Sequence, residues 1–380
     1  MSGFGSAPDV AVVGGGVIGC AVAYYAARAG ARVVLLERNA LGAEASGAAA
    51  GMLAPLAEDA QPGPFLDFAV ASLGRYAALA EALRAESGID IELQTAGLLR
   101  LALDDAEADH YRAGLGWQAE LGLAVRWLDA AEARAREPLL PPGVRGAVYS
   151  ESEHQVNPTR LVEALARAAA ARGAGLRVGA PVRGLLRQGE QVVGVRLADE
   201  DVPAGHVVVA TGAWAAASGD WLGVPLPVAP VKGQMVAVRP LGPLPRYTLY
   251  GRRGYLVPKA DGTVHVGATV EQAAFDRRVT AAGVSTLLGL LPALAPSLAE
   301  GTFVRAWAGL RPGTPDHRPL LGPVPGLRGV SLATGHYRNG ILLAPITGEV
   351  VAQAALGLPT SLPLEPFAVA RFASAPAAAR

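Results

Sequence analysis

Residues 10 to 37 read VAVVGGGVIGCAVAYYAARAGARVVLLE, and this stretch leaves the chain little freedom in how it folds. The apolar run VAVV suits a short strand buried on both faces. GGGVIG follows and fits G-x-G-x-x-G with Gly14, Gly16 and Gly19. An Ala-rich helical pattern then runs from Val17 to Ala29, and Gly30 suits the position just past a helix end. A second strand, RVVLLE, closes on Glu37. Strand, glycine turn, helix, strand and acid within about 30 residues form a phosphate-binding βαβ unit.

Each part has a physical task. Gly14 permits the tight turn, Gly16 lets backbone approach a pyrophosphate, and Gly19 lets helix and strand pack closely. The helix start offers N–H groups and the positive end of its dipole to phosphate. Glu37 can accept hydrogen bonds from ribose hydroxyls. Cys20, the single cysteine, falls in the first helical turn and reads as a buried packing thiol. The cradle alone leaves FAD and a nicotinamide cofactor both open. Three further glycine-bearing stretches bear on the choice: ASGAAAGMLAP (45–55), HVVVATGAW (206–214) with its turn at Gly212, and GHYRNGILLAP (335–345). Turns so far apart in sequence suggest an extended cofactor gripped along its length.

Composition excludes several classes. Lys+Arg and Asp+Glu number 33 each, so the basic excess of a nucleic-acid binder is missing. One cysteine forms no intrachain disulfide, and no metal-type Cys/His spacing is present. The start MSGFGSAPDVAVV lacks a signal-peptide pattern. The longest apolar candidate, GILLAPITGEVVAQAALGL, is cut by Pro345, Gly348 and Glu349. These features predict a cytoplasmic protein with no membrane segment, no nucleic-acid partner and no metal. A length of 380 residues suggests two domains.

Along the chain, helices are expected from Pro64 to Ser87, after the Asn157-Pro158 start, and over 283–295. Strands are expected at 176–183, 191–197 and 206–210, and antiparallel ones from 225 to 270, with a hairpin at Asp261-Gly262. The pattern predicts a discontinuous nucleotide-binding domain of 1–87, 150–220 and 303–372. A substrate domain of 88–149 and 221–302 is inserted in it, and a disordered tail of 373–380 ends the chain.

Six segments then carry a resemblance: ASGAAAGMLAP, PVKGQ, GYLVPK, VGATVE, WAGLRPGTPDHRPLLG and GHYRNGILLAPITG. With the glycine turn they make the chain resemble the FAD-dependent D-amino acid oxidase superfamily, and within it the glycine oxidases of thiamine-thiazole biosynthesis. The resemblance implies an α/β fold with a Rossmann-like, glutathione-reductase-like FAD-binding domain and an inserted α+β domain carrying an antiparallel sheet. It implies non-covalent FAD and oxidation of a small amino acid to an imine, by hydride transfer to the flavin. Dioxygen then gives hydrogen peroxide, and water releases glyoxylate and ammonia. A D-amino acid or sarcosine dehydrogenase passing electrons to another acceptor is the alternative. Relatives suggest a homotetramer.

Carried over by this resemblance, Arg311 and Arg338 would hold the substrate carboxylate and Tyr255 would offer its hydroxyl. Gly14, Gly15, Glu37 and Arg38 would hold the adenosine and pyrophosphate, Ala45, Ser46, Ala50, Gly51 and Met52 the middle of FAD, and Val182 the adenine. His336, Tyr337, Arg338, Asn339, Gly340, Ile341 and Leu342 would wrap the flavin ring. Two departures, Arg253 and Val270, are expected near the pocket and bear on substrate size. The residues themselves favour a guanidinium fork on a carboxylate. Arg338 in particular is a full charge set at the threshold of an apolar run. No histidine or acid stands out as a general base; His336 comes nearest, with a backbone role favoured for it.

Overall fold

The computed structural model describes residues 7–57 and 61–372, so the tail 373–380 lies outside the described residues. A six-stranded sheet runs in the order Leu320–Pro323, Val330–Thr334, His206–Val209, Val10–Val13, Val33–Leu36, Gly175–Arg177. All neighbours pair parallel except the Leu320–Pro323 edge. Every residue of Val10–Val13, Val33–Leu36 and Val330–Thr334 is buried, which requires cover on both faces. Helices Val17–Arg28, Pro158–Ala171 and Gly340–Ala355 contribute to the core of one face. A three-stranded antiparallel sheet, 184–203, contributes to that of the other. Gly30, at φ +87°, ends the first helix as expected, and the Asn157 side chain caps the Pro158 helix by accepting from Arg160 N–H at 3.3 Å.

An eight-stranded, mostly antiparallel sheet runs Thr302–Gly313, Ala229–Arg239, Val264–Gly267, Gly254–Pro258, Thr248–Gly251, Leu98–Ala102, Gly146–Ser150, Val125–Asp129. The expected hairpin is present. Asp261 accepts from Thr263 N–H at 2.9 Å and so closes the turn between Pro258 and Val264. Strand Thr302–Gly313 lies along Ala229–Arg239 in this large sheet, not with the nucleotide-binding strands beside which its sequence position had placed it. Its long register with that strand outweighs sequence proximity.

Three expected elements are interrupted. The 64–87 helix breaks at Gly74–Arg75 into Pro64–Leu73 and Tyr76–Ser87. The 283–295 helix breaks at Gly289 into Ala281–Leu288 and Leu290–Leu294, and Pro292 lacks an N–H to continue the earlier ladder. The 176–183 strand shrinks to Gly175–Arg177. Gly179 at φ +68° and Pro181 turn the chain away, and Ala180 N–H donates to the Glu37 carbonyl at 2.9 Å. The next strand is Gly184–Gln188.

The helix Gly340–Ala355 contains Pro345, which cannot donate to the Ile341 carbonyl. The Tyr76 hydroxyl donates to that carbonyl instead. One residue on, Ser72 Oγ donates to the Leu342 carbonyl at 2.7 Å and accepts from Ile346 N–H at 3.4 Å. The break at 74–75 places both side chains against the kinked turn. Arg75 adds an ion pair to Glu349 at 2.7 Å.

Candidate active site

The glycines of the first turn do separate jobs. Gly14 has φ +111°, and a Cβ there would lie 2.4 Å from the Ala210 carbonyl oxygen. A Cβ on Gly19 would lie 1.8 Å from the Gly14 carbonyl oxygen. Both are glycine because protein occupies the space. At Gly16 a Cβ would meet only Ser46 Oγ, at 3.3 Å, and would otherwise enter a cavity. Ser46 Oγ accepts from Val17 N–H at 2.9 Å, at the start of the first helix. Glu37 accepts from Gly15 N–H at 2.6 Å and Asn39 N–H at 2.8 Å, which ties the end of the second strand to the turn. Cys20 is buried, and desolvation pushes its thiol up to about 12, so it is inert packing.

Two cavities adjoin. One of about 290 Å³ is walled by Gly14, Gly15, Glu37, Arg38, Val182 and Trp214, among others. The other, of about 150 Å³, is walled by Ala50, Met52, Tyr255, Arg311, His336 and Arg338, among others. Gly16, Ala45, Ser46, Ala210 and Gly212 wall both. The result is one trench between the two sheets.

The large sheet presents one face to this trench. Arg311 pairs with Val231, and its guanidinium lies over Gly233, where a Cβ would come within 2.2 Å of Nη2. Nη1 donates to the Thr269 carbonyl at 3.0 Å and the Lys232 carbonyl at 3.4 Å. Tyr255 is 5% exposed; its hydroxyl lies 3.5 Å from Met235 Sδ, and its ring stacks on Tyr250. Trp307 Nε1 donates to the Ala48 carbonyl at 3.0 Å. A Cβ on Gly309 would lie 2.5 Å from that of Ala48.

The opposite wall comes from the turn before the last helix. Tyr337 has φ +48° and stacks on His317, with ring centroids 4.4 Å apart. His336 is buried, its Nε2 is 3.1 Å from Thr347 Oγ1, and burial pushes its pKa down to about 3. It is therefore neutral and turned toward the helix. Gly340 and Ile341 line the smaller cavity with Arg338.

Some expected residues fall elsewhere. Gly19 sits behind the turn. Asn339 is the N-cap of the last helix, and Leu342 is turned into the core at 1% exposure; neither lines a cavity. Arg253 is exposed on a hairpin turn and Val270 is 52% exposed, so neither reaches the pocket wall. The strand direction that buries Tyr255 carries Arg253 out past the sheet end.

Two further residues were not assigned a role from sequence and take one only in three dimensions. Trp214 lines the larger cavity with the Arg38 guanidinium 3.8 Å from its ring centroid, and Phe275 stacks on it. Lys259, buried, donates to the Ala50 carbonyl at 2.9 Å, Gln155 Oε1 at 3.0 Å and the Val156 carbonyl at 3.0 Å. It thereby pins the cavity wall from behind. Its place in GYLVPK was the available signal.

Residues 9–354 match the family described as DAO, FAD dependent oxidoreductase. The chain belongs to that family. A glycine oxidase of Geobacillus kaustophilus is 41% identical over 366 residues, 96% of this chain and 97% of the relative. The bifunctional protein ThiO/ThiG of a Synechocystis species is 38% identical over 372 residues, 96% of this chain but 54% of the relative. The crystal structure of the Geobacillus kaustophilus glycine oxidase superposes with a TM-score of 0.92 at 40% identity, over 96% and 98% of the two chains. As a member of this family the protein is an oxidoreductase with FAD as cofactor. The trench suits that group: Gly16 leaves room where a methyl would fill the cradle, and the helix start beside it favours anions. Among the described residues, no cluster of His, Cys, Asp and Glu could hold a metal, and no helix is long and apolar enough to cross a membrane.

Proposed function

We propose that the protein oxidises glycine with dioxygen and water to glyoxylate, ammonia and hydrogen peroxide, and amino acids of similar size to the corresponding 2-oxo acids. FAD, when bound, supplies the two-electron acceptor. The observation that carries this reading is Arg311: a guanidinium seated on Gly233 in the wall of a cavity of about 150 Å³ that adjoins the glycine-rich cradle. A planar guanidinium fork on the wall of this cavity suits a carboxylate. Similarity to glycine oxidases over nearly the whole chain supports the same choice.

In this reading Arg311 and Arg338 hold the carboxylate and Tyr255 hydrogen-bonds it. Glu37, Arg38 and Val182 hold the adenosine end of FAD. Gly14, Gly15 and Gly16 hold its pyrophosphate, and residues 45–52 and 336–341 hold the rest. The chain orients the α-carbon and excludes water, and it needs no general base. His336 is neutral and engaged with Thr347 and is not assigned as a base; when the substrate amine is neutral, its nitrogen lone pair is available as the α-hydrogen leaves. The likeness to a ThiO/ThiG protein supports supply of the imine to thiamine-thiazole synthesis. We place the enzyme in the cytoplasm as a homotetramer of two-lobed subunits. One lobe is the nucleotide-binding domain; the other is the substrate domain, with strand Thr302–Gly313 assigned to it by its pairing.

The test is aerobic turnover of glycine, read by peroxide and glyoxylate. Arg311→Ala is expected to keep FAD and to lower kcat/KM by roughly 30-fold to several thousandfold, the ~2–5 kcal/mol cost of removing one partner of a desolvated pair. Unchanged kinetics would remove the carboxylate anchor.

A further inference from the structure

Two motifs of the sequence, PVKGQ (230–234) and VGATVE (266–271), meet behind the wall that carries Arg311. Val231, Gly233 and Met235 alternate with Lys232 and Gln234 along the strand Ala229–Arg239. Gly233 and Met235 face the cavity, so Lys232 and Gln234 leave the sheet on its far side. There Lys232, 2% exposed, pairs with Glu271 at 3.1 Å. Glu271 Oε1 also accepts from Gln234 Nε2 at 2.7 Å and Thr269 Oγ1 at 2.5 Å. Gln234 Oε1 in turn accepts from Thr280 N–H at 2.8 Å. The backbones of Lys232 and Glu271 exchange two N–H···O bonds, each 2.9 Å.

This network holds the two carbonyls that receive the Arg311 guanidinium. They belong to Lys232 and Thr269, both members of the network. Neither Lys232 nor Glu271 lines the cavity. We propose that the Lys232–Glu271 pair, its lysine buried and its carboxylate 32% exposed, is a positioning device for the substrate carboxylate, acting through Arg311 from the far face of the sheet. The inference rests on the reading of Arg311 as the carboxylate anchor.

The physical reason is charge as well as shape. Lys232 and Glu271 hold the strand and the adjoining 269–271 segment in one register, so the two carbonyls meet Nη1 together. The pair is also nearly neutral in sum, so Glu271 does not compete with the substrate for Arg311. Removing the Glu271 charge leaves the buried Lys232 ammonium uncompensated behind the sheet, and removing Lys232 frees the Glu271 carboxylate to turn toward solvent. The carbonyls then shift, and the guanidinium shifts with them. A misplacement on the order of 1 Å at an orienting group costs up to about a hundredfold.

The experiment uses the FAD-loaded enzyme and three ligands: glycine, glycolate read by the change in flavin absorbance, and glycinamide, which lacks the carboxylate. Glu271→Gln keeps the shape and breaks the ion pair; Lys232→Met removes the ammonium; Lys232→Arg restores a cation; Arg311→Ala is the reference. Glu271→Gln and Lys232→Met are expected to raise the glycine KM and the glycolate Kd about ten- to a hundredfold. Saturated kcat and glycinamide turnover are expected to stay near the parent values. Lys232→Arg should recover most of the loss. Unchanged glycolate affinity in Glu271→Gln, beside a clear loss in Arg311→Ala, would overturn the inference and leave the anchor standing, even if the melting temperature fell. Unchanged glycolate affinity in Arg311→Ala would overturn both. Should Lys232→Met fail to fold, the isosteric Glu271→Gln still decides.

Discussion

At the scale of single residues, the three spaced glycines differ in what forbids a side chain. At Gly14 and Gly19 the obstacle is backbone, at 2.4 and 1.8 Å. At Gly16 it is mainly the reserved space of the cradle. Gly16→Ala is therefore expected to leave the melting temperature of the apoprotein unchanged and to weaken FAD strongly, read by flavin loss on gel filtration. Gly14→Ala should lower the melting temperature itself, since φ +111° excludes an L side chain without strain. The spaced glycines and Glu37 were legible in sequence because their constraints are local. Gly233 was not, because its need for a hydrogen comes from a guanidinium on another strand. Arg253 and Val270 were misjudged because closeness along a strand says nothing of where a hairpin ends.

At the scale of elements, the last helix shows how a broken ladder is repaired from outside. Pro345 frees the Ile341 carbonyl, and Tyr76 satisfies it. Tyr76→Phe is expected to cost about 1–3 kcal/mol, the penalty of a buried acceptor left without a donor. In a Pro345→Ala background, where a backbone N–H is restored, that cost should fall toward zero. Urea unfolding of the two single variants and the double variant measures the coupling. Sequence placed the strands of the nucleotide unit and the Asp261-Gly262 hairpin, whose signals are periodicity and turn chemistry. It ran 64–87 together as one helix because Gly74 is itself helical, at φ −60° and ψ −17°. The interruption comes from Ser72 and Tyr76 reaching a helix far along the chain.

At the scale of the whole molecule, three desolvated imidazoles contribute to its response to acid: His336 is buried, and His206 and His265 are half-buried. Burial pushes His206 to about 4, His265 to about 4 and His336 to about 3, with Lys259 and Arg305 adding to the effect at His265. A depressed folded pKa means that the folded chain refuses protons the unfolded chain accepts. Their contribution to stability is thus complete above the ordinary value near 6.5 and is lost as pH falls toward 4. The expected slope is about 1.4 kcal/mol per pH unit for each histidine. Denaturant midpoints should fall between pH 6.5 and 5, and less steeply in His336→Asn. Sequence did not foresee that Thr302–Gly313 pairs with Ala229–Arg239, since a long antiparallel register is a property of two distant segments together.

The edge of the trench is gauged by an absent methyl group. Where Gly309 meets Ala48, and Trp307 ties the same residue's carbonyl, the large sheet and the short helix Ala45–Ala48 approach as near as a hydrogen atom permits. That single spacing fixes how close two walls of the smaller cavity stand, at a position bearing no chemistry of its own.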